Sequence, residues 1–359
     1  MPLPINPPYP PMEALTVDEI PVGKNWRYEP KWDGFRCLAF RDVEKIELQS
    51  KKGESLTRYF PEVASAMRSV RASKYVLDGE IVVRAGAQFS FDDLLQRIHP
   101  AESRVRKLSR EHPAQMIVFD LLVSDDGKSL ASLPLDERRA RLEDFFAREL
   151  TGNPSFHLSP SSPDVRDAER WLKITGGALD GIIAKRAELP YRPGDRSGMV
   201  KIKNLRTADC VVGGFRYASA GRLLGSLLLG LYDGGGLLHH VGFTSGFRRE
   251  ERKSLLQKVE PLIAPPGFTG NAPGGPSRWS TERSTQWQPL RPELVVEVRY
   301  DHFTGERFRH GTKLLRWRPD KAARACTMDQ VRSRTRGTAV RLLDSPLRAR
   351  LSEKLASGR

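Results

Sequence analysis

The stretch Glu29-Pro30-Lys31-Trp32-Asp33-Gly34-Phe35-Arg36 sets a primary amine, a carboxylate, a turn glycine and a guanidinium just ahead of an apolar run. On its own, a lysine followed by Asp-Gly is ordinarily a surface turn. The residues that follow, in order, change that reading. Asp78-Gly79-Glu80 opens the run from Ile81 to Val83, and Phe119-Asp120 ends the run Ile117 to Val118. Asp180-Gly181-Ile182-Ile183-Ala184-Lys185 places an acid before a strand and a lysine after it. Lys201-Ile202-Lys203 alternates, so both ammonium groups face one side of a strand. Arg318-Pro319-Asp320-Lys321 closes the series. Phosphoryl-type transfer asks a protein for a nucleophile, charge neutralisation and in-line positioning, and little else. These residue types can supply all three.

The elements that must position them follow from hydrophobic periodicity. Short apolar or alternating runs predict strands over 37–40, 45–49, 75–84, 115–123 and 181–186. Helical spacing predicts helices over 61–70, 135–150 and 164–175, with a Ser/Pro-rich loop at 153–163. The first thirty residues are proline-dense and read as an extended arm. After Asn204 the texture changes. Closely spaced strands are expected over 208–216, 223–232, 237–244 and 294–300, separated by turns such as Gly234-Gly235-Gly236 and interrupted by one helix over 248–262. That is a small β-barrel pattern. A Gly/Pro-rich loop spans 268–280, and the tail beyond Arg332 is Arg-rich and weakly helical. The expected division is an arm at 1–25, an α+β domain at 26–204, a barrel at 205–330 and a basic tail at 331–359.

Composition narrows the classes. A chain of 359 residues suggests two or three domains, and 39% apolar with 29% charged residues marks a folded, water-soluble protein. No apolar run reaches the length of a membrane span, and the proline-rich start with Glu13 as its first charge is unlike a secretory signal. Three scattered cysteines exclude a disulfide framework and a four-cysteine zinc site, which points to a reduced, cytosolic protein. The net charge is +15, and its distribution is uneven. Residues 1–204 carry 32 Lys+Arg against 30 Asp+Glu, whereas residues 205–359 carry 27 against 14. A polyanion such as nucleic acid is the natural partner for the basic second part.

In this order and near these spacings, the six motifs resemble those of the covalent nucleotidyltransferases. Among these they resemble the ATP-dependent DNA ligases, and in particular the short bacterial type called ligase C. The likeness covers about residues 20 to 330. It implies an adenylation domain of packed, mainly antiparallel sheets with helices, followed by an OB-fold β-barrel. It also implies ATP, a divalent metal (Mg²⁺ or Mn²⁺), nicked duplex DNA as substrate and a monomer without a membrane. Lys31 matches the nucleophile that attacks the α-phosphate of ATP to give a lysyl-AMP phosphoramidate. A lysine with an ordinary pKa near 10.4 costs roughly 4 kcal/mol to hold neutral near pH 7.5. Neighbouring cations such as Lys203, or a metal, offset part of that cost.

The other roles are carried over position by position. Arg36 matches the arginine that contacts the ribose, and Glu80 the acid that reads its hydroxyls and helps hold metal. Glu29 matches a contact to the adenine amino group, and Phe119 the aromatic that stacks on the base. Asp180 matches the metal-holding acid, and Lys185 belongs to the same motif. Lys201 and Lys203 match the pair that grips the α-phosphate. Arg318, Asp320 and Lys321 match the motif that orients the departing pyrophosphate. Ser50-Lys51 stands where the family has Ser-Arg, a contact to the 5′-phosphate of the nick; lysine supplies the charge without a bidentate fork. Asp180 stands where glutamate is commoner, and Met199 where tryptophan often precedes the lysine pair. Arg248, Arg249, Arg252, Lys253 and Lys258 on the barrel's helix are candidates for phosphate contacts, Arg249 and Lys253 foremost.

The resemblance implies nick sealing in three steps, in DNA repair. The rivals are an RNA ligase or capping-type guanylyltransferase, and a catalytically silent nucleic-acid binder that kept the fold.

Overall fold

A computed structural model describes residues 2–86, 88–173, 179–219, 221–274, 286–332, 340 and 342–343. The chain forms two compact units. One runs to Asn204 and takes in Val340, Leu342 and Leu343 of the tail, and the other starts at Leu205 and takes in the described residues up to Arg332. No helix among the described residues is long and apolar enough to cross a membrane.

The first unit is built on two sheets. Its strands are β1 (Leu15–Thr16), β2 (Trp26–Trp32), β3 (Phe35–Asp42), β4 (Lys45–Ser50), β5 (Lys74–Ala85), β6 (Gln88–Phe89), β7 (Ala114–Val123), β8 (Phe156–Leu158), β9 (Leu179–Arg186) and β10 (Met199–Lys203). One sheet runs β1-β10-β9-β2 and the other β4-β3-β5-β7-β8, with β6 paired to β5. Pairing is antiparallel except for β1 with β10 and β7 with β8. Side chains alternate across each strand, so each sheet has two different faces. On β3, Cys37 and Ala39 join an outer core with helices α1 (Pro61–Ser69) and α4 (Leu135–Phe145), while Leu38 and Phe40 point the other way. On the smaller sheet, Tyr28, Ile182, Ala184 and Ile202 pack outward against Ala168 and Trp171 of the helix over Val165–Lys173. Two further helices, Phe91–Gln96 and Glu102–Glu111, complete this unit.

The inner faces meet in two apolar layers. One joins Leu38, Phe40, Val76 and Leu122 to Tyr191 and Met199. The other joins Trp32 and Leu179 to Val82, Phe89 and Ile117. The proline-rich start packs onto this unit, with Leu3, Ile5 and Met12 buried in the first layer. Val340 is buried in the second, with Leu342 and Leu343 packed beside it. The rest of the tail read as basic and weakly helical lies outside the described residues.

The second unit contains β11 (Arg206–Tyr217), β12 (Leu224–Tyr232), β13 (Leu238–Thr244), β14 (Gln288–Pro289), β15 (Val295–Tyr300), β16 (Phe303–Thr304), β17 (Arg307–Phe308) and β18 (Lys313–Trp317). The main order is β13-β12-β11-β15-β18 around one apolar core. Its two edges are joined by the isolated bridge Thr244–Thr312, where the Thr244 hydroxyl donates to the Thr312 carbonyl at 3.0 Å and accepts from the Leu314 N–H at 3.2 Å. The barrel is therefore partly open, as small OB folds are. The helix expected over 248–262 is confined to Glu251–Val259 plus a 3₁₀ turn at Glu260–Leu262. Pro261 removes a helix donor at one end, and no side chain caps the other.

Two other expectations are corrected. Asp78-Gly79-Glu80 does not open a strand, and Phe119-Asp120 does not end one; both lie inside long strands. The strand β2 carries Pro30 in its middle, which argues against a strand in a sequence. It is tolerated because β2 is a sheet edge.

Gly181 fixes how closely β9 and β10 approach. It sits at φ +140°, and a Cβ there would lie 2.0 Å from the Ile202 carbonyl oxygen. Gly181→Ala should therefore destabilise the first unit by about 1–3 kcal/mol. Urea unfolding followed by tryptophan fluorescence reads this, and an unchanged midpoint would contradict the packing argument.

Candidate active site

Three neighbouring strands bring the lysines together. In the ladder, Lys31 of β2 stands opposite Gly181 of β9, and Gly181 stands opposite Lys203 of β10. Lys201 lies two residues away on the same side as Lys203, because Ile202 between them is buried outward. The β2–β9 register then skips: Lys31 pairs with Gly181 but Trp32 with Leu179, leaving Asp180 as an unmatched, bulged residue. The bulge turns its carboxylate inward, where it forms an ion pair with the Lys31 ammonium. Trp32 anchors the strand end by donating its indole N–H to Ser159 Oγ at 2.9 Å.

The opposite sheet uses the same device. Asp78 of β5 pairs with Asp120 of β7 and Gly79 with Val118, so Phe119 is bulged. Two cations lie over its ring. The Arg36 guanidinium carbon and Lys185 Nζ are each 4.6 Å from the ring centroid. Lys185 also holds the buried Glu29 carboxylate at 2.7 Å. The second oxygen of that carboxylate, Glu29 Oε1, is buried without a hydrogen-bond partner among the described residues. A buried acceptor left unmade is costly, and a ligand N–H would satisfy it.

Asp78 had no place in the sequence reading beyond its motif, and it proves central. It binds Arg36 through both oxygens, at 2.5 and 2.6 Å, and accepts from the Tyr191 hydroxyl at 2.7 Å. Arg36 is thus presented to the pocket by a buried carboxylate. Asp120, next to Phe119 in the chain, forms a buried pair with Arg138. Tyr191 carried no sequence signal, because its partner lies 113 residues away.

Charge dominates the site. Burial lowers the pKa of Lys201, and the like charges of Lys31, Lys51 and Lys203 lower it further. Lys51 is therefore within electrostatic reach of Lys201, and it forms an exposed 3.0 Å ion pair with Glu13. Ser50 closes the neighbouring turn, its Oγ accepting from the Glu54 N–H at 3.0 Å. Glu80 stands opposite Arg36 on β3. Burial pushes its carboxyl up to about 7, against the opposing pull of Lys31 and Arg36. Gly34 is needed for this approach, since a Cβ there would lie 2.3 Å from the Ile81 carbonyl and 2.8 Å from Glu80 Cγ. Among the described residues, no three carboxylate, histidine or cysteine side chains cluster as a metal site.

The remaining predicted residues lie in the second unit. Arg318 reaches both Asp320 and Asp209, and Lys321 reaches Asp209 at 2.7 Å. Arg249 and Lys253 are exposed, but Arg248 and Arg249 precede the helix instead of lying on it. Lys258 is engaged over the Trp317 ring at 4.3 Å.

Residues 11–203 match the ATP dependent DNA ligase domain, and residues 220–321 the ATP dependent DNA ligase C terminal region. DNA ligase C2 of Mycolicibacterium smegmatis is 43% identical over 356 residues, covering 95% of this chain and 99% of its own. DNA ligase C of Mycobacterium tuberculosis is 43% identical over 350 residues, covering 92% and 96%. The solved structure of a Lig E DNA ligase is 17% identical, with a TM-score of 0.52, over 86% of this chain and 100% of that one, and shares the fold. The chain belongs to the ATP-dependent DNA ligases. It is accordingly an enzyme, a nucleotidyltransferase domain followed by an OB-fold domain of the short bacterial kind.

The raised Glu80 pKa has a measurable consequence. The folded protein holds this proton to higher pH than the unfolded chain does. The stabilisation is complete below the ordinary value of 4.5 and is lost as pH rises through about 7. Relative to Glu80→Gln, the parent protein should lose on the order of 1–3 kcal/mol of unfolding free energy across that window. Urea titrations of both proteins at several pH values test this, and a pH-independent difference would refute the burial argument.

Proposed function

We propose that Lys31 is the residue adenylated by this ligase, and that the surrounding side chains divide the work of nick sealing as follows. The observation that supports this best is the β2–β9–β10 register, which sets Lys31, Asp180, Lys201 and Lys203 on one inner sheet face. Lys31 Nζ attacks the α-phosphorus of ATP. A P–N bond forms, the bond to the bridging oxygen of pyrophosphate breaks, and two protons leave the nitrogen as ammonium becomes phosphoramidate. Lys201 and Lys203 neutralise the α-phosphate during that exchange.

The nucleotide's base is held by Phe119 and Glu29. The orphaned Glu29 Oε1 fits an exocyclic amino group, which adenine has and guanine lacks at that position. Arg36, fixed by Asp78, and Glu80 face the ribose. Asp180 and Glu80 are hard oxygen donors suited to Mg²⁺ or Mn²⁺ shared with the phosphates, which would supply further charge neutralisation there. Lys185 holds the Glu29 carboxylate in place.

In the second step a 5′-phosphate oxygen attacks the phosphoramidate phosphorus, the P–N bond breaks and a DNA-adenylate forms. In the third, the 3′-hydroxyl attacks the 5′-phosphate and AMP leaves. Ser50 and Lys51 contact that 5′-phosphate. Arg318 and Lys321, with Asp320, act in the first step by facing the departing pyrophosphate. Arg249 and Lys253 contact the duplex backbone. The reading is completed by a monomer working in the bacterial cytosol, in repair of nicked double-stranded DNA.

Two experiments test it. Lys31→Ala should form no AMP adduct by mass spectrometry after incubation with ATP and Mg²⁺, yet seal some pre-adenylated nick; an adduct mapped to another residue would overturn the assignment. Nick affinity should fall with salt by a slope of about −0.9 per phosphate neutralised on a log–log plot. Charge reversal at Arg249 and Lys253 should make that slope shallower without slowing adduct formation, and an unchanged slope would remove both residues from the DNA contact.

A further inference from the structure

The two cations assigned to the pyrophosphate share a partner that no step above uses. Asp209 lies near the start of β11, the first strand of the second unit. Its carboxylate accepts from the Arg318 guanidinium at 2.9 and 3.1 Å, one contact to each oxygen, and from Lys321 Nζ at 2.7 Å. Asp209 is buried, whereas Asp320, the other carboxylate on Arg318, is largely exposed. A hydrogen-bonded buried pair is worth more than a solvated one.

The carboxylate is itself held. Gln330 grips its peptide from both sides: the Asp209 N–H donates to Gln330 Oε1 at 3.0 Å, and Gln330 Nε2 donates to the Asp209 carbonyl at 3.2 Å. The backbone of the cation segment is fixed separately, with the Arg318 N–H donating to the Val295 carbonyl at 2.8 Å. Arginine and lysine side chains are long and rotamer-rich, and each loses up to about 2 kcal/mol of entropy when held in one place. One buried carboxylate bound to both sets their tips at a fixed separation before any phosphate arrives.

We propose that Asp209 is a positioning residue for the first step of the reaction: it holds Arg318 and Lys321 as one preorganised, doubly cationic unit for the leaving pyrophosphate. It touches no reacting atom. The inference rests on the reading that Arg318 and Lys321 act in the first step. It also has a definite sign. A negative charge beside two cations weakens their field, so if charge alone mattered, removing it would speed adenylation. If positioning dominates, removing it slows adenylation.

The test is single-turnover adenylation of the full chain by ATP, run beside sealing of a pre-adenylated nick. Asp209→Asn keeps the shape and loses the charge. It should slow adenylation at saturating ATP by about 10- to 100-fold. Half-saturation by ATP should move less than about threefold, since the lost interaction is made in the transition state. Pre-adenylated sealing should stay within about twofold of the parent, which also certifies the fold. Asp209→Glu should restore part of the rate. In the Arg318→Ala, Lys321→Ala background, Asp209→Asn should have no further effect, because its action passes through those side chains.

Faster adenylation by Asp209→Asn, or equal loss in both assays, overturns the proposal. A full additional loss in the double-alanine background overturns it too. If Arg318→Ala slows adenylation and Asp209→Asn does not, the role of the cations stands and that of Asp209 falls. If Arg318→Ala and Lys321→Ala leave adenylation untouched, the first-step reading of the cations fails and takes the proposal with it.

Discussion

The contact on which the site depends is the ion pair between Lys31 and Asp180, made where the β2–β9 ladder skips a residue. A regular antiparallel pair would leave Asp180 aligned in the ladder and facing away from Lys31. The skip turns it inward, and Gly181 beside it allows β10 to close in from the other side. Lys201 and Lys203 then reach the same face as Lys31. This arrangement concentrates positive charge in a partly buried space, which a sheet tolerates only because carboxylates are threaded through it. The cationic character of this face is therefore built into backbone geometry more than into any one side chain.

A second tier of buried pairs stands behind that face. Arg36 is held by Asp78, Lys185 by Glu29, and Arg138 by Asp120. Each pair joins neighbouring strands or braces one of them, so the pocket wall is cross-linked by charge. Breaking one member of a buried pair typically costs about 3–5 kcal/mol, because the survivor is left without compensation. The same logic recurs in the second unit, where Asp209 ties the beginning of its first strand to the cations of its last segment. Both units thus set their functional cations on buried acids instead of leaving them to solvent.

Much of this was legible in the sequence. Alternation on β3 and β10, and the apolar runs of β5, β7 and β12, carry a period that survives into the structure. The ordered motifs named the family. The edge strand β2 was obscured by Pro30, which is permissible only once the strand is known to lie at an edge. The helix over Phe91–Gln96 went unread although Ser90 caps it by accepting from the Asp93 N–H at 3.1 Å, a signal of local spacing that was available. The bulges at Asp180 and Phe119 were not available, because a bulge is a property of two strands and not of one. Asp78 with Tyr191, and Asp209 with Arg318, are likewise joined only by topology, 113 and 109 residues apart.

The burial of Val340 against Trp32, Val82 and Leu179, with Leu342 and Leu343 beside it, bears on how the molecule is made. Val340 follows these partners by between 161 and 308 residues, the kind of non-local contact that is slow to form. The ribosome delivers the strand carrying Lys31 first, then the whole of the second unit, and only then the side chains that cover the apolar layer next to that strand. The first unit must wait with Trp32 and Phe89 incompletely covered while its neighbour is synthesised. Exposed apolar surface of this kind is where nascent chains meet chaperones or one another. Assembly of the adenylation unit is in this sense finished from the far end of the polypeptide, and the order of synthesis differs from the order of completion.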